Sequence, residues 1–162
     1  MTTIAVTWHM DLTEDSVFLV RAALDEILKP YDSTALVGIS CIAAGSDSLF
    51  AEAVLAAGGR LIVVLPSENY RDAKVKANHV ETFDRLVEAA DDVRVMPHAS
   101  ANRQAYESAN RALLEQADRL VAVWNGEPPS GKGGGTADVV SEARAAGLPV
   151  DVVWPVGAAR RG

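Results

Sequence analysis

Gly38–Tyr70 reads GISCIAAGSDSLFAEAVLAAGGRLIVVLPSENY. It opens inside an apolar run, Leu36–Cys41, which reads as a strand. Ser46 or Asp47 can cap the helix that follows. Leu49, Phe50, Ala53, Val54 and Ala57 then recur at helical spacing until Gly58-Gly59 ends it. Leu61–Leu65 is apolar at every position, the pattern of a strand covered on both faces. A strand, a helix and a doubly covered strand in so short a stretch make a βαβ unit with parallel strands.

The alternation continues in both directions. Upstream, Ile4–Thr7 reads as a strand. Thr13, with Glu14 and Asp15 behind it, reads as the cap of a helix carrying Val17, Val20, Leu24, Ile27 and Leu28 up to Pro30. Downstream, a polar stretch over Pro66–His79 leads to a helix over Val80–Ala90 and a strand over Val93–Met96, closed by Pro97. A helix over Asn102–Ala117 has Ala105, Ala109, Leu113 and Ala117 on one side. A strand over Leu120–Trp124, a glycine-rich loop over Gly126–Gly135, a helix over Thr136–Ala146 and a strand over Val150–Val153 complete the series. No linker, repeat or low-complexity tract divides it. The expectation is one α/β domain over residues 1–156, with a short tail over 157–162. Its sheet is doubly wound, parallel and about six-stranded, with helices on both faces. Ligands of such sheets bind beyond the carboxyl ends of the strands, so function is expected in the loops after residues 7, 41, 65, 97 and 124.

Composition narrows the class. The 162 residues are 49 % hydrophobic and 23 % charged, which excludes a disordered or fibrous chain. Cys41 is the sole cysteine and cannot close an intramolecular disulfide, which fits a reducing compartment. The formal net charge is −7, and basic residues gather only at Arg71, Lys74 and Lys76 and at Arg160-Arg161. On that ground neither nucleic acid nor a membrane surface is expected as a partner, whereas a small anionic ligand is compatible. No apolar span is long enough for a membrane helix, and Asp11, Glu14 and Asp15 break a signal-peptide reading, so the expected location is cytoplasmic.

Two loops carry the chemistry. Gly131-Lys-Gly-Gly-Gly-Thr-Ala-Asp138 lies between an apolar strand and a helix, where glycines let a ligand approach the backbone and the helix start offers free N–H groups to an anion. Thr136 adds a hydroxyl and Lys132 a charge; a flexible loop with an ordinary cap is the alternative. It is not a P-loop, since Gly133 follows Lys132 and Pro128-Pro129 remove two N–H donors. The dinucleotide fingerprint G-x-G-x-x-G is absent, which disfavours a conventional NAD enzyme. The second loop, Ile42-Ala-Ala-Gly-Ser-Asp-Ser48, brings small residues and two hydroxyls to another helix start, where Asp47 can cap the helix or accept from a ribose hydroxyl.

Those residues carry a resemblance. Gly38–Tyr70 resembles the core of the Rossmann-like SLOG superfamily. It is similar to the G-x-A-x-G-x-D-x-x-A-H pattern of the DNA-processing protein A family, with Gly45 and Asp47 at matching positions. Gly133-Gly-Gly-Thr136 is similar to the P-G-G-x-G-T-x-x-E loop of the Lonely Guy phosphoribohydrolases, also called lysine-decarboxylase-like proteins, and Thr7-Trp8-His9 resembles a T-G-H opening of the superfamily. The resemblance implies a nucleotide-like ligand held by the loops after the first, second and fifth strands, and a homodimer or higher homo-oligomer. Ala44, Gly45, Ser46 and Asp47 would flank the ligand, Thr7, Trp8 and His9 would meet it, and Gly133, Gly134, Gly135 and Thr136 would hold its phosphate. The chain departs from the pattern in three places. Val139 stands where the loop's glutamate is expected, Trp8 replaces a glycine, and Phe50-Ala51-Glu52 stands in place of the Ala-His.

Other residues have two readings each. Pro66 and Arg71 begin the long polar connection, in which Arg71 or Lys74 can close over an anion or remain solvated. Trp124 can stack on a base or pack. His9, His79 and His98 could converge, yet no carboxylate or thiol has supporting metal-ligand spacing, so no metal and no cofactor are expected. Three functions are weighed: a module sensing a nucleotide-like ligand, a phosphoribohydrolase-like N-glycosidase on nucleoside monophosphates, and DNA handling by analogy with the DNA-processing family, against which the −7 charge argues. The second needs a carboxylate, for which Asp138 and Glu142 are the candidates.

Overall fold

The computed structural model describes residues 1–8, 12–43, 46–128 and 135–160. In these the strand and helix periods resolve as β1 (Thr2–Trp8), α1 (Glu14–Leu28), β2 (Leu36–Ser40), α2 (Ser46–Ala56), β3 (Arg60–Leu65), α3 (Tyr70–Lys74), α4 (Val80–Ala89), β4 (Asp92–Val95), α5 (Arg103–Gln116), β5 (Arg119–Val123), α6 (Thr136–Ala145) and β6 (Val150–Val153).

The six strands form one sheet in the order β4-β3-β2-β1-β5-β6, and every neighbouring pair is parallel. The chain steps outward from β1 to β4, then α5 returns it to β5 on the other side of β1. The direction of winding therefore reverses between β1 and β5, where Trp8 pairs with Val123. Right-handed crossovers on opposite sides of that point put helices on opposite faces. Side chains alternate accordingly. Ile4, Val6 and Trp8 of β1 pack with Val20, Leu24 and Leu28 of α1 and Phe50 and Val54 of α2. Ala5, Ile39, Val64, Leu120 and Ala122 pack the other way, on Ala109 and Leu113 of α5 and Val139, Val140 and Ala143 of α6. Leu61 and Val63 meet Ala51 of α2 and Phe83 and Leu86 of α4. Gly38, mid-strand in β2, is what lets α2 lie close: a Cβ there would stand 2.6 Å from Val54 Cγ2.

The elements depart from the sequence reading at their margins. β1 starts at Thr2 and runs through Trp8, and β2 stops at Ser40, leaving Cys41 in the loop. The polar connection after β3 contains the short helix α3, whose five residues are too few to show a period. β4 spans Asp92–Val95, and all four of its residues are exposed, because it is an edge strand that the helices cover poorly. Thr13 occupies the N-cap of α1, but its hydroxyl bonds Ser16 Oγ at 2.6 Å rather than a backbone N–H. The C-terminal segment is tied down: Leu12 and Arg160 form an antiparallel bridge, and the Ala159 N–H donates to Ser16 Oγ at 2.8 Å. Among the described residues no helix is long and apolar enough to cross a membrane.

Candidate functional site

Parallel strands followed by returning helices bring the starts of α1, α2, α5 and α6 to the carboxyl edge of the sheet, beside the reversal between β1 and β5. Among the described residues, the loop after β2 is closely held at that edge. Ile42, fully buried, has φ of 47°, a left-handed conformation that a β-branched residue adopts only when its surroundings impose it. Ser40 Oγ accepts from the Ile42 N–H at 3.0 Å and donates to the Asp47 carbonyl at 3.1 Å. Ser48 Oγ donates to the Ala43 carbonyl at 2.8 Å and lies 3.2 Å from His79 Nε2, which is 3.1 Å from the Ile42 carbonyl. These bonds hold the loop in its strained turn.

Asp47 lies in the first turn of α2 rather than at its cap, and its carboxylate turns back to accept from the Ala43 N–H at 3.4 Å. Burial pushes this carboxyl from its ordinary 3.8 up to about 7, against the opposing pull of that N–H and of the Trp8 indole, which also donates to it. The adjacent Ser46 hydroxyl is fully buried and has no hydrogen-bond partner. Burial likewise raises the Cys41 thiol and the Tyr70 phenol, and the Asp47 carboxylate adds to both shifts.

Trp8 and Ala43 also line a cavity of about 420 Å³. Its other walls come from the connection after β3 and from α5: Tyr70, Lys74, Lys76 and His79 with Tyr106. The Tyr106 ring meets the Tyr70 ring edge-on at 6.4 Å. Lys74 and Lys76 are exposed, and among the described residues neither has an ion pair. Most other cations do. Arg21, Lys29, Arg71, Arg85, Arg94, Arg103, Arg119 and Arg160 all pair with carboxylates.

The residues singled out in the sequence therefore separate. Trp8, Ser46 and Asp47 gather around the loop after β2, and Thr7 precedes them in β1. Pro66 is buried just beyond β3. Arg71 turns away to a two-pronged pair with Asp84, both bonds 2.8 Å. Trp124 packs against the α5–α6 core with Arg144 over its ring at 6.0 Å, and its indole donates to the Glu127 carbonyl at 3.0 Å. Gly135 is the N-cap of α6, and Thr136, which follows it, is buried. The Gly135 N–H donates to Asp138 Oδ2 at 3.2 Å, so Asp138 is engaged in capping, while Glu142 is exposed one turn further along. His98 bonds Ser108 Oγ at 2.9 Å, apart from His79. Among the described residues no cluster could hold a metal ion. His9, Ala44, Gly45, Lys132, Gly133 and Gly134 lie outside the described residues. Tyr106 was missed by sequence reasoning. Its available signal was position: an aromatic in the first turn of a helix that starts at the ligand edge.

This strand order, a six-stranded parallel sheet whose winding reverses between β1 and β5, is a Rossmann-like α/β fold. The structure is similar to that of DNA processing protein A from Streptococcus pneumoniae, with a TM-score of 0.70 at 16% identity over 96% of this chain and 51% of that one. DNA processing protein A from Helicobacter pylori matches with a TM-score of 0.68 at 16% identity, over 98% of this chain and 68% of that one. The molybdenum cofactor carrier protein from Chlamydomonas reinhardtii gives 0.57 at 20%, over 93% and 75%. This chain spans about half the length of the pneumococcal protein. At these identities the likeness is one of fold. No family model matches the sequence, and no curated protein matches it.

One expectation is corrected here. Net charge led to the exclusion of nucleic acid as a partner, yet the H. pylori protein, matched over nearly all of this chain, has a single-stranded DNA binding mode. The exclusion fails physically because net charge is a sum over the surface, whereas binding responds to local charge. Here Lys74 and Lys76, without an ion pair among the described residues, stand together at one cavity, a local feature that the sum over the chain does not show.

Proposed function

We propose that this chain binds a nucleotide or nucleotide-derived ligand at the carboxyl edge of its sheet, acting as a sensing or regulatory module. The observation that carries this reading is the cavity beside the winding reversal, walled by the rings of Trp8, Tyr70 and Tyr106. A base stacked on such rings gains about 1–3 kcal/mol. The starts of α2 and α6 lie at the same edge, where helix N-termini suit an anion, and the buried Ser46 hydroxyl adds a donor with no internal partner. Thermal unfolding with a panel of nucleotides and a single-stranded oligonucleotide tests this. A true ligand at a hundredfold excess over Kd stabilises the chain by about 2.7 kcal/mol. Tyr106→Ala, at a partly exposed position, should fold normally and lose much of that shift. No shift with any member of the panel overturns the reading.

One observation favours a second reading, cleavage of an N-glycosidic bond. With Asp138 engaged as a cap, the carboxyl bonded to the cavity-lining Trp8 and Ala43 is Asp47, and at about 7 it is partly protonated at neutral pH, as a general acid requires. Release of free base from nucleoside monophosphates, abolished by Asp47→Asn, would support it. Clear binding without release would leave the sensing module.

A further inference from the structure

The lining of the cavity has two parts. One is the aromatic wall of Trp8, Tyr70 and Tyr106; the other is polar, Lys74, Lys76, Asn78 and His79, all from the end of α3 and the segment that joins it to α4. In a chain with 22 Asp and Glu against 15 Lys and Arg, no carboxylate is among the described residues that line it. Asp47, which bonds Trp8 and Ala43, is itself buried and does not line it, and with its carboxyl raised to about 7 it carries only part of a charge at neutral pH. Gly135 and Thr136, at the start of α6, do not line it either. The charge that the described lining offers a ligand is therefore positive. Its backbone is already ordered. Val75, extended between the two lysines with φ −84° and ψ 112°, packs against the cluster of Leu61, Phe83 and Leu86. Beyond it, the His79 backbone N–H donates to the Lys76 carbonyl at 2.8 Å, and His79 Nε2 lies 3.1 Å from the Ile42 carbonyl. Binding has only the lysine side chains left to order.

We propose that the ligand is a nucleoside monophosphate whose base lies against the three rings and whose phosphate is held by Lys74 and Lys76, so that the segment joining α3 to α4 is the anion-binding part of the site. This rests on the nucleotide reading above and specifies which residues take the phosphate. The size of the cavity sets the spacing. A sphere of its volume, about 420 Å³, is about 9 Å across, so ring and anion must lie within one nucleotide of each other. Each lysine is a compact charge with three rotatable donors, which suits the several oxygens of one phosphate.

Calorimetric titration of the full chain with the 5′-monophosphates of adenosine, guanosine, cytidine and uridine, and with the four nucleosides themselves, tests the assignment. For the base that binds best, the monophosphate should bind about tenfold more tightly than its nucleoside at low salt, and the gain should shrink as salt is added. The double variant Lys74→Gln/Lys76→Gln, altered only at exposed positions, should erase that gain while leaving nucleoside affinity within about twofold. Lys74→Arg/Lys76→Arg, which keeps both charges, should retain most of it. Equal affinity for nucleoside and monophosphate overturns the lysine assignment and leaves the nucleotide reading standing. So does a gain that survives the glutamine variant, or a loss of nucleoside affinity in that variant as large as the loss for the monophosphate. Failure of every probe to bind overturns both.

Discussion

Asp47 holds a buried acid between the Trp8 indole and the Ala43 N–H, and its protonation follows pH in a defined direction. The folded value, about 7, lies above the ordinary 3.8, so between these limits the folded chain retains a proton that the unfolded chain has released. Its contribution to stability is complete below the lower value, falls as pH rises and is gone above about 7. From pH 5 to pH 8 the loss is about 2–3 kcal/mol. Denaturant unfolding should show this decline in the wild type and a flatter profile in Asp47→Asn; parallel profiles would refute the assignment. Gly38 gives a second test at this scale. With Val54 Cγ2 only 2.6 Å from the Cβ position, Gly38→Ala must displace the Val54 side chain in the packed α2–β2 contact, and a lowered unfolding midpoint equivalent to about 1–3 kcal/mol is expected.

Among the elements, α6 shows how a residue can be legible in type and hidden in role. Asp138 is visible in the sequence as an acid near a glycine loop, and the structure engages it with the Gly135 N–H. Asp138→Ala should therefore cost about 1 kcal/mol of stability, measured by calorimetry, through the lost cap. The apolar run Leu61–Leu65 announced a doubly covered parallel strand because burial on both faces leaves only one composition available. The short helix α3 and the left-handed turn at Ile42 left no such trace. Five residues carry too little period, and φ at Ile42 is imposed by Ser40, Ser48 and the chain around them.

Over the whole molecule, the winding was readable because strand–helix alternation and handedness leave few topologies open. The cavity was not. Trp8, Tyr70 and Tyr106 are far apart in sequence and meet only after the sheet has assembled. Acidity misled for the same reason: composition counts charges without pairing them, and pairing is a property of the folded surface.

The bareness of β4 has a consequence for association. Its outer rim is an open row of backbone donors and acceptors, and Val93 and Val95, 37% and 46% exposed, would suit a neighbouring chain's strand. Asp92 and Arg94, paired with each other at 2.8 Å, alternate with those valines and place charge along the rim. Replacing both with valine would leave an uncharged β-branched tetrapeptide at the margin of the sheet. Light scattering of that variant at rising concentration should detect self-association through edge-to-edge strand pairing, which the native rim resists.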